Sequence, residues 1–257
     1  MITMLLDVLF PRRCLGCGGG GWPFCEACIA GVAVLGPPGC RRCGRPLEVD
    51  VERCTDCPPL TIAGARAAFL YEGPVRRALM RMKFGGVRLA APTLAAAMVR
   101  ALEALPVVGP AAWGGPKPPT ITWVPLGRRR KRTRGFDQAE ALARCVARLT
   151  GWPVRRLLGR AIETAPQARR SGAARRDALR GAFRPVARAP LQVLLIDDVL
   201  TSGATADECA RALLVAGARD VRLLTAARSL GGPVPTRCYN PAGLQPGSVV
   251  AREIASR

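Results

Sequence analysis

The chain has 257 residues, enough for one domain of moderate size and a small one, and its 49% apolar content excludes disorder throughout. Its 39 Lys and Arg against 18 Asp and Glu give a formal charge of +21, the footprint of a polyanionic partner. Almost all of these cations are Arg in a chain rich in Ala, Gly and Pro, which a coding bias also produces, so the charge serves as support only. Histidine is absent, which excludes Ser-His-Asp and Cys-His triads, His-ligated metals and a His general base.

Met1–Phe10 is apolar but carries Asp7 and is too short to span a bilayer, so a short helix packing Leu5, Leu6 and Leu9 against the body is expected. Eight cysteines follow in four C-x-x-C units: Cys14/Cys17, Cys25/Cys28, Cys40/Cys43 and Cys54/Cys57. That spacing lets two thiolates converge on one cation, so four units supply two tetrahedral Cys₄ zinc sites. Gly18 and Gly44, placed just behind the first and third units, fit knuckle turns with positive φ. Sequential pairing, with the first four cysteines on one ion and the last four on the other, closes shorter loops; interleaved pairing stays open. Disulfides fit poorly without a secretory signal. A closed Cys₄ site has no open coordination position, so its role is structural or docking, and metal binding would stabilise a segment too small to fold on its core alone. The expected division is a double zinc ribbon over residues 1–62, a main domain over 63–230 and a poorly ordered tail over 231–257.

In the main domain, Ala65–Tyr71 is expected to be a strand. Pro74 opens a helix to Phe84 with Val75, Leu79 and Met82 on one face and Arg76, Arg77, Arg81 and Lys83 largely on the other, either solvated or functional. Leu89–Leu105 is a second helix, followed by a Pro/Gly-rich surface loop to Pro119. Thr120–Val124 is a strand. After it come Arg128, Arg129, Arg130, Lys131, Arg132 and Arg134, read as a cationic loop that binds pyrophosphate or nucleic acid, since doubly wound sheets bind ligands at the carboxyl ends of their strands. Asp137 is an N-cap with Glu140 at the capping-box position of a helix running to Thr150. Val154–Leu158 is the next strand, and the Arg-rich segment Thr164–Arg180 follows.

The organising stretch is Leu191–Leu214. Val193–Ile196, hydrophobic on both faces, suits a strand covered by helices on both sides. Asp197 and Asp198 come next, then Thr201, Ser202, Gly203, Ala204 and Thr205, then helical Ala206–Ala216 with Gly217 as its stop. A small polar loop leading from a strand into a helix N-terminus exposes amide donors to a phosphate, and the acid pair can grip ribose hydroxyls or hold Mg²⁺. No Walker A pattern occurs. Val221–Ala227 is a further strand, and the alternation of strand and helix predicts an α/β fold with a mostly parallel twisted sheet and helices on both faces.

This loop closely resembles the phosphoribosyl pyrophosphate (PRPP) loop of type I phosphoribosyltransferases. The resemblance implies that Thr201–Thr205 wraps the 5′-phosphate while Asp197 and Asp198 face the ribose diol and Mg²⁺. The cysteine units, Tyr71-Glu72-Gly73-Pro74 leading to Lys83-Phe84, Val124-Pro125-Leu126, Arg134-Gly135-Phe136-Asp137-Gln138 and the acid-pair loop together resemble the competence protein F (ComF) family, over the chain to about Arg228. Asp137 and Asp177 stand where that family tends to carry Asn, each adding negative charge near a polyanion site. The resemblance implies PRPP binding and a role in natural transformation: handling single-stranded DNA on the cytoplasmic side with helicase and recombination partners. The cationic surface leaves peripheral attachment to the inner face of the membrane open. No catalytic residue is assigned. An active Mg²⁺-dependent phosphoribosyltransferase on an unknown acceptor, as in nucleotide salvage, is the competing reading.

Overall fold

The protein is described from a computed structural model that covers residues 13–55, 57–58, 61–86, 88–103, 113, 117–161 and 177–230. The expected N-terminal helix, the tail from 231, most of the Pro/Gly-rich connection and most of Thr164–Arg180 lie outside the described residues. The elements in chain order are α1 (Glu26–Ala30), β1 (Gly64–Leu70), α2 (Gly73–Phe84), α3 (Ala90–Glu103), β2 (Thr120–Trp123), α4 (Arg128–Arg134) and α5 (Gln138–Thr150). They continue with β3 (Leu158–Arg160), β4 (Phe183–Pro185), β5 (Gln192–Leu200), α6 (Ala204–Val215) and β6 (Asp220–Arg228).

Branched and aliphatic runs make β5 and β6 the two inner strands of a four-stranded parallel sheet in the order β1-β6-β5-β2. Val193–Ile196 is fully buried, as a strand apolar on both faces must be. Leu194 and Ile196 pack into the layer of α2, α3 and α5, whereas Val193 and Leu195 pack into the layer containing α6 and the β3–β4 hairpin. The α/β architecture with helices on both faces is therefore observed as expected.

Local signals account for most boundaries. Asp137 caps α5, its Oδ1 accepting from the Glu140 N–H at 3.2 Å, and Gly151 ends that helix at φ 72°. Pro74 lies in the first turn of α2, with Val75, Leu79 and Met82 buried. Three expectations need correction. Arg128–Arg134 is a helix, closed by left-handed Gly135, and not a loop. The strand expected at Val154–Leu158 lies further on, at Leu158–Arg160, pairing antiparallel with β4 outside the main sheet. Val154 makes only a bridge to Ile121, because Arg155 and Arg156 are exposed and have no apolar layer to face. In the Pro/Gly-rich connection, Trp113 is not at the surface: it is 3% exposed, with Arg222 stacked 4.7 Å from its ring centroid.

The cysteine segment packs on the β1 edge of the sheet. Its middle residues, Ala33–Leu35, run antiparallel to that edge, with Leu35 N–H donating to the Ala68 carbonyl and Leu70 N–H to the Ala33 carbonyl, both at 2.9 Å. The backbone groups of an otherwise open edge are thereby paired. The first four cysteines lie on the α2–α3 side of the sheet and the last four on the α6 side.

Gly44, at φ +70°, brings the third knuckle against β1; a Cβ there would lie 2.5 Å from the Ala65 carbonyl oxygen. Gly86 has a similar φ of +65° but open space around it. Gly86→Ala is expected to cost about 1 kcal/mol of backbone strain, and Gly44→Ala distinctly more because it adds the contact. Urea unfolding of the two variants side by side measures the difference.

Candidate functional site

The cysteines assemble sequentially. Cys14, Cys17, Cys25 and Cys28 form one tetrad and Cys40, Cys43, Cys54 and Cys57 the other, with all four ligand atoms within 4.8 Å of one another in each. The Cys17–Cys25 and Cys43–Cys54 sulfur atoms are 3.7 Å apart. That is far from a disulfide bond of about 2.05 Å, and close to the edge of about 3.8 Å in a tetrahedron built on Zn–S bonds of about 2.3 Å. Backbone N–H groups of Cys25, Cys43 and Cys54 point at sulfur, at 3.3–3.4 Å. Burial alone would raise the Cys14 thiol, yet the N–H groups of Cys17, Cys25 and Gly16 bring it down to about 6. Cys54 goes the other way, up to about 12, through burial and the negative charge of Cys43. Four thiolates gathered this closely require a cation, and the all-sulfur, closed donor set fits two structural zinc ions.

The tetrads are tied to the sheet by arginines. Buried Arg66 of β1 donates to the Cys40 and Arg41 carbonyls at 3.1 and 2.9 Å, and buried Arg228 of β6 donates to the Cys43 carbonyl. On the other face, Arg77 and Arg81 of α2 donate to the Gly16 and Cys14 carbonyls at 2.7 and 2.9 Å. Two of the four α2 cations thus hold the first tetrad and do not simply face water.

The second feature is a cavity of about 290 Å³ at the carboxyl ends of β5 and β2. The acid pair lies within β5, which runs on to Leu200. Gly203, at φ 78°, turns the chain into α6. Of the expected phosphate-loop residues, Thr201, Gly203 and Thr205 line the cavity; Ser202 and Ala204 do not, Ala204 being buried in the α6 core. Ser202 Oγ is enclosed without a partner among the described residues. Of the six cations of Arg128–Arg134, helical periodicity turns Arg130 and Arg134, one turn apart, into the cavity. Arg128, Arg129, Lys131 and Arg132 are exposed outside it, Lys131 pairing with Glu140 at 3.3 Å.

Among the lining residues, Lys83, Gln138 and Tyr71 were not assigned to this site by sequence reasoning, although Lys83 was one of the α2 cations read as solvated or functional. Lys83, at the end of α2, pairs with Asp198 at 2.7 Å, both side chains largely buried. Burial would lower its pKa, but Asp198 raises it further, so the ammonium stays charged. Gln138 is 2% exposed; its Oε1 accepts from Arg134 at 3.0 Å, which orients the amide, and its Nε2 has no acceptor among the described residues. Tyr71 lines the cavity beside Lys83. Lys83, Gln138 and Tyr71 all stood inside the family-like motifs, which was the only signal available, since nothing local marks a single Lys, Gln or Tyr as facing a site.

Burial, followed by the neighbouring Asp198 charge, raises Asp197 to about 8, although the Asp198 N–H donates to it at 2.8 Å. Asp137 also lines the cavity and is shifted upward by burial, but both its oxygens accept backbone N–H groups, from Leu126 at 2.8 Å and Glu140 at 3.2 Å. An amide has one acceptor oxygen for two such donors, so the carboxyl at this position serves the backbone. Asp177, the other residue thought to add charge, is 78% exposed and pairs with Arg180 at 3.8 Å, away from the cavity lining.

A parallel α/β sheet with helices on both faces, an acid pair near a strand end, a small polar loop turning into a helix and two cysteine tetrads define an α/β protein with an appended double zinc ribbon. Comparison with known proteins agrees. Residues 5–58 match the double zinc ribbon domain family. The chain is 30% identical over 217 residues to DNA utilization protein YhgH of Salmonella typhi, covering 81% of this chain and 92% of that protein. It is 26% identical to competence protein ComFC of Streptococcus pneumoniae, covering 79% and 87%, and to competence protein F of Haemophilus influenzae, covering 86% and 98%. The chain belongs to the family of these ComF and YhgH proteins. Among solved structures, it is similar to glutamine PRPP amidotransferase from B. subtilis at 20% identity and TM-score 0.36, over 66% of this chain and 33% of that one. An allosteric regulatory enzyme of purine biosynthesis matches at 19% and 0.34, over 55% of this chain and 26% of that one. The chain thus spans at most about a third of those enzymes. No helix among the described residues is long and apolar enough to cross a membrane.

Purified protein is expected to carry two zinc ions per chain, and Cys54→Ser one, by elemental analysis. Because Asp197 holds its proton in the folded protein up to about pH 8, against 3.8 for an ordinary Asp, its stabilising share is full below about pH 4 and is lost as pH rises to about 8. Asp197→Asn cannot lose it, so the melting temperature of the variant relative to wild type should climb between pH 5 and pH 9 in the absence of ligand.

Proposed function

We propose that this protein acts in DNA uptake during natural transformation, binding PRPP or a related phosphorylated ribose in the cavity and single-stranded DNA along the basic surface beside it. The observation that carries the reading is the meeting, in one cavity, of the phosphate loop, the acid pair and two arginines presented by a separate element. Thr201, Thr205 and the amides around Gly203 suit a 5′-phosphate at the N-terminus of α6. Arg130, Arg134 and the N–H groups of Gln138 Nε2 suit the oxygens of a pyrophosphate across the cavity. Asp197 and Asp198 offer oxygen donors, which fit Mg²⁺ and ribose hydroxyls; Lys83 covers one oxygen of Asp198, so a bound diol or metal shares that carboxylate with the ammonium. Mg²⁺ bound with PRPP would supply charge neutralisation on the pyrophosphate. The names of the relatives, DNA utilization and competence proteins, support a DNA role. The outward Arg128, Arg129 and Arg132 offer a track for a strand's phosphates, and the protein would work on the cytoplasmic side with helicase and recombination proteins.

A second reading, phosphoribosyl transfer to an acceptor, is favoured by the strongly raised pKa of Asp197 in a cleft. There Arg130 and Arg134 would stabilise the departing pyrophosphate while Asp197 and Asp198 hold the pentose. Release of pyrophosphate that depends on an added acceptor distinguishes this reading.

Calorimetry with PRPP and Mg²⁺ tests the cavity: Asp197→Ala combined with Asp198→Ala should abolish the binding heat, and retained binding would overturn the assignment. Changing Arg128, Arg129 and Arg132 to Gln should leave PRPP binding intact and reduce the slope of log affinity for single-stranded DNA against log salt by about 2. DNA affinity indifferent to salt would remove the nucleic-acid half of the proposal.

A further inference from the structure

Phe84, the last residue of α2, is 69% exposed, and it is the only aromatic residue among the described ones that is exposed in this way. Every other described aromatic is buried or half-buried. Its position explains why the core does not take it: α2 buries Val75, Ala78, Leu79 and Met82, and Phe84 falls on the opposite side, one turn after the exposed Met80. The adjacent Lys83 enters the cavity to reach Asp198 at 2.7 Å, so the ring stands at the cavity rim. Arg134 lies over the ring, its guanidinium carbon 5.0 Å from the centroid, and is itself anchored on Gln138 at 3.0 Å. The ring is therefore held from one side by a cation that is fixed in place, and its exposure leaves the other side accessible. The same α4 that supplies Arg134 presents the exposed Arg128, Arg129 and Arg132.

An exposed aromatic clamped by Arg next to a row of cations is the combination that binds single strands: phosphates follow the charge, and bases stack on the ring. We propose that Phe84 is the stacking platform for an unpaired base of the nucleic-acid strand that α4 holds by its phosphates, at the mouth of the cavity. This rests on the DNA-binding half of the proposed function and adds to it a residue and a mode of contact.

Fluorescence anisotropy with two labelled strands of equal length, one oligothymidylate and one abasic, tests it. The abasic strand keeps the phosphates and lacks the bases. Phe84→Leu keeps an apolar side chain without the ring and should weaken oligothymidylate binding about fivefold or more, the scale of one lost base stack. It should leave abasic binding, the salt slope and the melting temperature unchanged, and Phe84→Trp should restore or exceed wild-type affinity. Equal binding of oligothymidylate by Phe84→Leu and wild type, or an equal loss on both strands, overturns the stacking role alone. If Phe84→Leu melts early, Phe84→Trp decides: weaker oligothymidylate binding than wild type overturns it. A wild-type protein that binds neither strand overturns both this inference and the DNA half of the reading on which it rests.

Discussion

The ion pair between Lys83 and Asp198, closed at 2.7 Å with both groups largely out of water, is the contact on which the geometry of the site depends. Burying either charge alone would be costly, so each fixes the other. Lys83 is the penultimate residue of α2, and the same helix grips the first cysteine tetrad through Arg77 and Arg81. One rigid helix therefore links the metal knuckle, the end of the central strand β5 and the rim residue Phe84. The cavity inherits its shape from that link as much as from the loop before α6.

The cysteine segment shares the sheet's cores on both faces. Ala33–Leu35 pairs with the free edge of β1, and the tetrads close over the two faces beside it. An exposed parallel edge invites unwanted pairing, and covering it answers that hazard. The charge balance agrees with this placement. Zinc held by four thiolates is a dianion, and Arg66 and Arg228, two buried arginines from adjacent strands, lie under the second tetrad. Burial pulls both guanidinium pKa values down while thiolate charge acts in the opposite direction, from Cys40 and Cys43 on Arg66 and from Cys43 and Cys54 on Arg228. Arginine suits this task because its planar fork reaches several carbonyls at once.

The basic run shows how secondary structure assigns work to charge. As a loop, six cations would face one ligand. As a helix, Arg130 and Arg134 turn inward and the rest face outward, so the same segment can address a small anion on one side and a polyanion on the other. Within the cavity, the inward cations meet an acid pair that is nearly one charge short, because Asp197 keeps its proton near neutrality. The balance inside is therefore positive and favours phosphate.

Much of this was legible in the amino-acid order. The C-x-x-C spacing, the glycines with positive φ behind two knuckles, the Asp137 cap and the fully apolar run before Asp197 are local, and local physics decides them. A knuckle or a cap closes within a few residues, so its donors and acceptors are visible side by side in the sequence. The helix at Arg128–Arg134 was missed because six cations within seven residues repel one another and carry no apolar stripe; Gly127 and Gly135 at its ends and the ties of Lys131 to Glu140 and Arg134 to Gln138 offset that repulsion. The shift of β3 was missed because Val154 has branched character while the partner that makes a strand, β4, lies beyond the Arg-rich segment. Lys83, Gln138, Tyr71 and the rim position of Phe84 were decided only by the tertiary structure. Each lies far in sequence from the residue that gives it meaning, and a single Lys, amide or ring acquires a role only when folding brings a carboxylate, a guanidinium or a cavity to within a few ångströms of it.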